Sequence, residues 1–403
     1  MAIHEADEIQ KVSPLEAEVS ATFDEWMGES SVYWSNERDA WIVTGYAESA
    51  RILEEADAFW RDIPLRDGSS EFWGRHLLIL EGRDHRRLHT VHMQLTSEKF
   101  AENLRGRANK ICRDVISRLV KKGRAELVED YADAVVFQIG CDFVGYDIAD
   151  PSVIESLLLQ MQIRAKWKEA LHAGKGIPLE SKTAQDGQAA LETMASILLP
   201  IIRDRRKNPR EDLISALWQK GPTVFPDWNE NDILNTCWSS VDNETKPFLR
   251  GLLYILCRDP QLQEKLRRDP SLVTGFVEEG LRFLTPFRTI RRVVKKDIEL
   301  GGQKMRAGDS IYLITPIANR DEERWKCPHA FEAERKQEST HFAFGFGQGY
   351  CVGRYVGRVE AAEAIKAILA ETSTFSLDPN GVAPKWHGEM YHSVSPLHAI
   401  LQR

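Results

Sequence analysis

The chain of 403 residues lacks several features that define common classes of protein. It contains no run of about 18 apolar residues, which argues against a transmembrane helix. Its first residues, M-A-I-H-E-A-D-E-I-Q-K, are polar and acidic and lack the apolar core of a secretion signal, so we expect a cytoplasmic location. We find neither a repeat of roughly 20–50 residues nor a linker rich in glycine, serine or proline. The sequence therefore predicts a single domain over residues 1–403, and we expect it to be a monomer without membrane attachment.

Positive charge and cysteine are also scarce. The chain has 53 lysines and arginines against 61 aspartates and glutamates, a formal net charge of −8, which argues against nucleic acid as a partner. Its six cysteines form no C-x-x-C pair, and without a secretion signal we expect them to stay reduced. We interpret five of them as small core residues and only Cys351 as a thiol with a chemical role.

The apolar periodicity predicts a mainly α-helical protein with small β-sheets, an α+β class. Helical patterns cover about residues 85–285 and 355–370, with a break at Asp259–Pro260 among others. Alternating patterns predict small sheets near residues 30–50, 288–316 and 385–402, the first of them a hairpin.

The most informative segment reads F-G-F-G-Q-G-Y-C-V-G and places a cysteine on a glycine-rich turn just before a helical stretch. Glycine permits a tight backbone and the close approach of a flat macrocycle. The segment reproduces F-G-x-G-x-x-x-C-x-G, the haem-ligand loop of the cytochromes P450. The matching residues are Phe344, Gly345, Gly347, Cys351 and Gly353.

The chain thus resembles the soluble bacterial cytochromes P450, over roughly residues 15–400. The resemblance implies a cytochrome P450 fold and one haem b whose iron is bound by the Cys351 thiolate, a ligand that favours cleavage of the O–O bond. It also implies insertion of one oxygen atom from O₂ into an organic substrate. Electrons would come from a small ferredoxin or flavodoxin that docks on the cysteine side. Basic residues there could meet an acidic donor: Arg83, Arg86, Arg354 and Arg358.

A second motif supports the resemblance. Glu279 and Arg282 form E-x-x-R, which places both charges on one helical face. By resemblance they form a buried pair, with Arg335 as its third partner. We expect this cluster to support the cysteine loop without taking part in catalysis.

The two propionates of a haem require cations at its rim. By resemblance these are His85 and Arg87, with His89 replacing a final arginine, and Arg292. Two residues before the cysteine, where the family usually has His or Arg, this chain has Gly349. That contact is either missing or supplied by a neighbour such as His341 or Arg291.

The long central helix of the family carries an acid–alcohol pair that relays protons to oxygen. Glu244–Thr245 fits this pair, preceded by V-D-N, whereas counting back from Asp259–Pro260 selects Asn243–Glu244. Pro247 would lie inside the helix and kink it. Two interpretations stay open, a tolerated variation of a distorted helix or an altered activation of oxygen.

The resemblance also implies the residues of the substrate pocket. These are Trp73 from the loop between Ile63 and Arg83, which we interpret as a lid, together with Trp238, Val241, Phe287, Arg288, Ile290, Met390 and Tyr391. Most are apolar or aromatic and suit a small hydrophobic or aromatic secondary metabolite. Arg288 either binds a substrate carboxylate or phosphate, turns outward, or contacts a propionate.

Three functions follow in order of preference. The first is a haem-thiolate monooxygenase that hydroxylates, couples or desaturates its substrate. The second is an atypical haem-thiolate enzyme that uses peroxide, dehydrates or rearranges its substrate, or handles nitrogen oxides, because Asn243, Glu244, Pro247 and Gly349 depart from the usual pattern. The third is a haem-based sensor or carrier without turnover.

Overall fold

The computed structural model describes residues 13–61, 75–78, 80–172, 181–336 and 340–403. Helices predominate in these ranges and the strands form small sheets, as the periodicity predicts. The α-helices α1–α14, in chain order, are Pro14–Ala21, Tyr46–Glu54, Gly82–Leu95, Glu98–Lys122, Ala134–Val144, Pro151–His172, Lys182–Lys207, Leu213–Lys220, Glu230–Val241, Thr245–Arg258, Pro260–Arg268, Val273–Leu284, Thr315–Ala318 and Arg354–Glu371. The β-strands β1–β12 are Val32–Ser35, Ala40–Val43, Phe59–Arg61, Arg124–Glu126, Thr289–Val294, Ile298–Leu300, Gln303–Met305, Ser310–Ile314, Thr374–Leu377, Lys385–His387, Ser393–Ser395 and His398–Gln402.

Local signals set the helix boundaries. The side chain of Ser97 accepts a hydrogen bond from the backbone N–H of Phe100 and caps α4, whose end is marked by Gly123 with a φ of 72°. Asp259 caps α11 in the same way, and Pro260 occupies its first position, where no N–H partner is needed. The predicted break at Asp259–Pro260 is therefore confirmed.

Most strands lie where the alternating patterns predict them, but β3, β4 and β9 lie outside the three predicted regions. The strands β1 and β2 form the expected hairpin around residues 36–39, and the largest sheet has the order β1-β2-β8-β5-β3, with β2 and β8 parallel. Near the other end of the chain, β12 pairs with β9 and with β4. The strand β4 lies inside the stretch predicted to be helical. Its three residues are too few for a periodic pattern to reveal, and they are stabilised by pairing with residues at the other end of the chain.

The helices α4, α5, α10, α12 and α14 contribute most of the largest apolar core. Four cysteines are buried, as predicted, namely Cys112, Cys141, Cys237 and Cys257. Cys327 is exposed, so our interpretation of it as a core residue was wrong. None of the helices in the described ranges combines the length and the apolar character that crossing a membrane requires.

The central helical stretch is broken rather than kinked. The helix α9 ends at Val241 and α10 begins at Thr245, whose backbone N–H donates to the Oδ1 of Asn243 at 2.9 Å. The prediction of Pro247 inside a continuous helix was wrong. Pro247 lies in the first turn of α10, where a backbone N–H has no helical partner and its loss costs little.

Candidate active site

A cavity of about 400 Å³ lies beside the break between α9 and α10. Side chains from α3, α6, β5 and the start of α14 line it, together with the cysteine-containing loop. The cysteine-containing loop and the helix break are distant in sequence, but residues of both line this one cavity.

The loop that carries Cys351 is shaped by glycine and by one backbone hydrogen bond. Gly345 and Gly347 have φ values of 72° and 64°, which side-chain-bearing residues rarely adopt. A Cβ at position 347 would also lie only 3.0 Å from the carbonyl oxygen of Leu53. The N–H of Cys351 donates to the carbonyl oxygen of Phe344 at 2.9 Å, which closes the loop directly before α14.

Cys351 is one of the residues that line the cavity. Burial raises the pKa of the Cys351 thiol to about 11, although an N–H from Gly353 and the nearby Arg354 and Arg358 act in the opposite direction. A thiolate at this position therefore needs a strong cationic partner, as a metal ion provides. The glycine-shaped loop and the chemistry of its donor atom fit a metal held in a flat macrocycle.

Basic side chains line one wall of the cavity. Of the residues predicted to contact propionates, His85, His89 and Arg292 lie there. The imidazole Nε2 of His89 lies 2.8 Å from the carbonyl oxygen of Tyr350, so this histidine also contacts the cysteine loop. Burial lowers the pKa of His85 to about 3, and the neighbouring Arg61 adds to that effect.

Arg87 does not reach the cavity, and that prediction was wrong. It lies on the exposed face of α3 and donates to the carbonyl oxygen of Thr223 at 2.6 Å. His85 and His89, four residues apart, share the inner face of the helix, whereas Arg87 is on the outer face. Of the two suggested neighbours of Gly349, Arg291 lines the cavity, whereas His341 pairs with Glu278 at 3.0 Å.

The predicted cluster around Glu279 is confirmed. Glu279 and Arg282 are fully buried and 2.7 Å apart, and the Nε of Arg335 lies 2.9 Å from the same carboxylate. Arg282 also donates to the carbonyl oxygens of Asn319, Pro328 and Ala330. The cluster therefore joins α12 to the chain that leads into the cysteine loop.

The first residue of the break is Asp242, and its carboxylate lies between two cations. One oxygen is 3.1 Å from Arg164 of α6 and the other is 3.2 Å from Lys246 of α10. Burial by itself would raise the pKa of Asp242, but Lys246, Arg164 and Lys168 outweigh it and lower the pKa to about 2. This carboxylate is ionised at neutral pH.

The side chains of the predicted acid–alcohol pair point in different directions. Thr245 hydrogen-bonds the carboxyl of Glu360, which also lies 3.4 Å from the amide of Asn243. Glu244 instead accepts a hydrogen bond from the phenol of Tyr391 at 2.9 Å and lies 3.8 Å from the ammonium of Lys168.

Glu360 is fully buried on α14, nine residues after Cys351. Burial raises the pKa of Glu360 to about 8, although its hydrogen bonds with Thr245 and Asn243 act in the opposite direction. At neutral pH this carboxyl is therefore mostly protonated and can donate a proton to its neighbours.

The structure places the predicted substrate residues differently. Phe287, Ile290 and Met390 line the cavity, whereas Tyr391 lies beside it, bonded to Glu244. Trp73 is outside the described residues, as is most of the loop interpreted as a lid.

Trp238 and Val241 were predicted on the wrong face of the central helix. Both are buried in the core, and Val241 packs against Gly140 of α5. The cavity face of α9 instead carries small polar residues, Thr236, Ser239 and Ser240, at the spacing of one helical face.

Arg288 does not line the cavity, so its predicted role in substrate binding was wrong. Its guanidinium donates to Glu25 at 2.6 Å and to the carbonyl oxygen of Gly388 at 2.9 Å, away from the cavity lining. A buried guanidinium needs such partners, and the chain supplies them itself.

Sequence reasoning missed four residues of the site. Arg164 and Lys168 lie on one face of α6, and their spacing of four residues is the only signal, shared with many surface pairs. Glu360 lies nine residues after Cys351, in the predicted helix that follows the cysteine, and this position could have been used as a signal. Arg61, on β3, reaches the cavity only because that strand pairs with β5.

Comparison with known proteins gives a consistent result. A family model described as Cytochrome P450 matches residues 18–390. The putative cytochrome P450 YjiB of Bacillus subtilis is 24% identical over 347 residues, which cover 85% of this chain and 84% of that protein. The 6-deoxyerythronolide B hydroxylase of Saccharopolyspora erythraea is 25% identical over 84% of both chains. Among solved structures, P450BioI in complex with an acyl carrier protein superposes with a TM-score of 0.81 at 21% identity, over 97% of this chain and 100% of that chain.

Proposed function

The chain belongs to the cytochrome P450 family, and on that premise we propose that the Cys351 thiolate binds the iron of haem b in the cavity. The protein is a cytochrome P450 monooxygenase, as its sequence predicts, and its relatives include hydroxylases of secondary metabolism. The predicted fold is confirmed by the superpositions. The family uses a haem with cysteine ligation, small-molecule substrates, O₂ and redox partners.

One observation carries the proposal: Cys351 lines the cavity from a glycine-shaped loop directly before α14. Phe344, Gly345, Gly347 and Gly353 shape that loop. Arg292 supplies a cation, and His85 and His89 supply imidazole groups, to the wall that would hold the propionates. When bound, the haem supplies the site at which O₂ is reduced with electrons from a donor protein.

The chain's own residues supply protons. We assign the acid–alcohol role to Glu360, Thr245 and Asn243, because they form one hydrogen-bonded group at the cavity wall. Glu360 holds a proton at neutral pH and is fully buried, so a proton donated to Thr245 is replaced only along hydrogen-bonded groups or water.

Glu244 has a different role in this proposal. Its carboxylate faces Lys168 and Tyr391, and it lines the cavity at the side of Phe287 and Met390. This arrangement supports a substrate with two parts, an apolar part against Phe287, Ile290 and Met390 and a polar group near Lys168. A wholly apolar substrate would remove water from these charges without replacing its hydrogen bonds.

We propose a small ferredoxin or flavodoxin as the electron donor. Arg83 and Arg86 are exposed on α3, next to the wall that carries His85 and His89, and offer a basic surface to an acidic partner. We also propose that the enzyme acts as a monomer.

The broken central helix favours a second candidate, an atypical haem-thiolate enzyme driven by peroxide. The acid and the alcohol of the usual pair are separated here, since Glu244 and Thr245 have different partners. Such an enzyme would not require protons to be delivered during the reduction of O₂.

The test begins with the difference spectrum of the reduced carbon-monoxide complex. We expect the band typical of thiolate ligation in the wild-type enzyme and its loss in Cys351→Ala, with Cys327→Ala as the matched control at an exposed cysteine. An unchanged spectrum in Cys351→Ala would overturn the assignment. Turnover that requires a reductase and O₂ favours the first candidate, whereas turnover with peroxide alone favours the second.

A further inference from the structure

Gly349 is the position at which the family usually carries His or Arg, and its own backbone does not explain the glycine. Its φ lies outside the left-handed region, so a residue with a side chain could adopt the same conformation. A Cβ added there would lie 3.0 Å from the Nη2 of Arg61 and 3.8 Å from its Cζ. The space beside Gly349 is therefore filled by a guanidinium from another part of the chain.

The fold holds the Arg61 side chain in that place. Arg61 is the last residue of β3 and lies opposite Arg292 of β5 in the sheet register. Its Nη1 donates to the carbonyl oxygen of Leu77 at 2.6 Å, and its Nη2 lies 3.5 Å from the Nδ1 of His85. Its backbone N–H donates to Glu81 at 3.1 Å, which fixes the end of the strand.

The charges around Arg61 point to an anionic ligand. Arg61, His85 and Arg292 line the same wall of the cavity. Burial lowers the pKa of His85, and the positive charge of Arg61 lowers it further. Among the described lining residues the acids are Asp242, Glu244 and Glu360, which belong to the helix break and to α14. The nearby Glu81 also lies 3.7 Å from Lys295. A wall of this kind is stabilised when an anion enters the cavity.

We propose that Arg61 takes the place of the missing side chain at position 349 and binds a propionate of the haem. The inference rests on the proposed function, because it requires a haem in the cavity that Cys351 lines. It also explains why position 349 is a glycine, since a larger residue would displace the guanidinium of Arg61. It also replaces the two neighbours suggested by the sequence alone, His341 and Arg291.

The test is a double-mutant cycle on the purified holoenzyme, with the rate of haem transfer to excess apomyoglobin as its readout. Arg61→Gln keeps a donor for the Leu77 carbonyl and removes the charge. We expect it to speed haem loss about tenfold, as the loss of one charge-assisted hydrogen bond implies. Gly349→His should also weaken haem binding in the wild-type background, where it meets Arg61 at 3.0 Å.

The decisive variant combines the two changes. Gly349→His in the Arg61→Gln background should restore slow haem loss, because the new imidazole occupies the vacated space and can bind the same anion. Arg87→Gln, an exposed arginine directed at Thr223, is the control and should lose haem at the wild-type rate.

Two results would overturn the inference: haem loss from Arg61→Gln at the wild-type rate, or additive effects in the double variant. The thiolate band of the carbon-monoxide complex separates this failure from failure of the proposed function. If the band is present and only the cycle fails, Arg61 alone is misassigned. If wild-type protein lacks the band, both proposals fall.

Discussion

The carboxylate of Asp242 lies 3.1 Å from the guanidinium of Arg164, and this contact joins the break in the central helix to α6. The same carboxylate lies 3.2 Å from Lys246, the second residue of α10. Its ionised state depends on both cations, which lower its pKa despite burial. The shape of the cavity therefore depends on the charge of Asp242.

Asp242→Asn should destabilise the folded enzyme by about 3–5 kcal/mol, because it leaves two buried cations without their counter-ion. The free energy of unfolding of the holoenzyme in denaturant measures this loss. Asp227→Asn is the matched control, since Asp227 also binds an arginine, Arg75, but with a side chain that is 75% exposed. We expect that control to have little effect, because solvent screens this exposed pair. Equal losses in the two variants would contradict the role given to Asp242.

Glu279→Gln should be equally damaging, because the carboxylate is fully buried between Arg282 and Arg335. The expected loss is about 3–5 kcal/mol in the free energy of unfolding. Glu332 also pairs with Arg335 but is 34% exposed, so Glu332→Gln provides the control and should have a small effect. A purified Glu279→Gln variant with wild-type stability would show that the cluster does not support the cysteine loop.

The free energy of unfolding of the wild-type enzyme should fall as the pH rises from 4.5 to about 8, because of Glu360. In that window an unfolded chain has released the proton of this carboxyl, whereas the folded protein, with its pKa raised to about 8, retains it. The folded state binds more protons, so rising pH favours unfolding, by about 1.4 kcal/mol per pH unit for one group.

Glu360→Gln removes this ionisation, so the free energy of unfolding of the variant should depend less on pH. We expect the variant to gain stability relative to wild type as pH rises through the window, with denaturant unfolding at pH 5 and pH 8 as the measurement. Glu371, which ends α14 beside Arg113, has a lowered pKa and serves as the control position. A constant difference between wild type and Glu360→Gln at both pH values would rule out a protonated Glu360.

Lys168→Met should weaken binding of substrates that carry a polar group and spare wholly apolar ones. Lys168 lines the cavity between Glu244 and the ring of Tyr391, so its loss removes a charged hydrogen-bond donor. We expect dissociation constants to rise about tenfold for the best polar compounds in a panel scored by spin-state shift. Lys166→Met, an exposed residue on the same helix, is the control. A uniform change across the panel would indicate general damage to the cavity.

Much of the architecture could be read from local patterns. The glycine and cysteine spacing of residues 344–353 indicated the loop, and the break at Asp259–Pro260 is a property of neighbouring residues. The hairpin of β1 and β2 followed from alternation around one turn. Each of these features depends on residues close together in the chain, where propensity and spacing decide the structure.

Errors arose where the direction of a side chain depends on distant partners. Trp238 and Arg288 were assigned to the cavity by position in the chain, but Trp238 packs in the core and Arg288 binds Glu25. Each face of a buried helix packs against a neighbouring element, and the sequence of the helix alone does not identify that neighbour.

The linear order of residues was enough to specify the cysteine loop and the mainly helical class, because backbone conformation at glycine and proline is a local property. Only folding in three dimensions decided that Arg61 occupies the space left by Gly349 and that Asp242 lies between Arg164 and Lys246. Those contacts join strands and helices up to 288 positions apart, and the packing of the whole chain determines which charges meet.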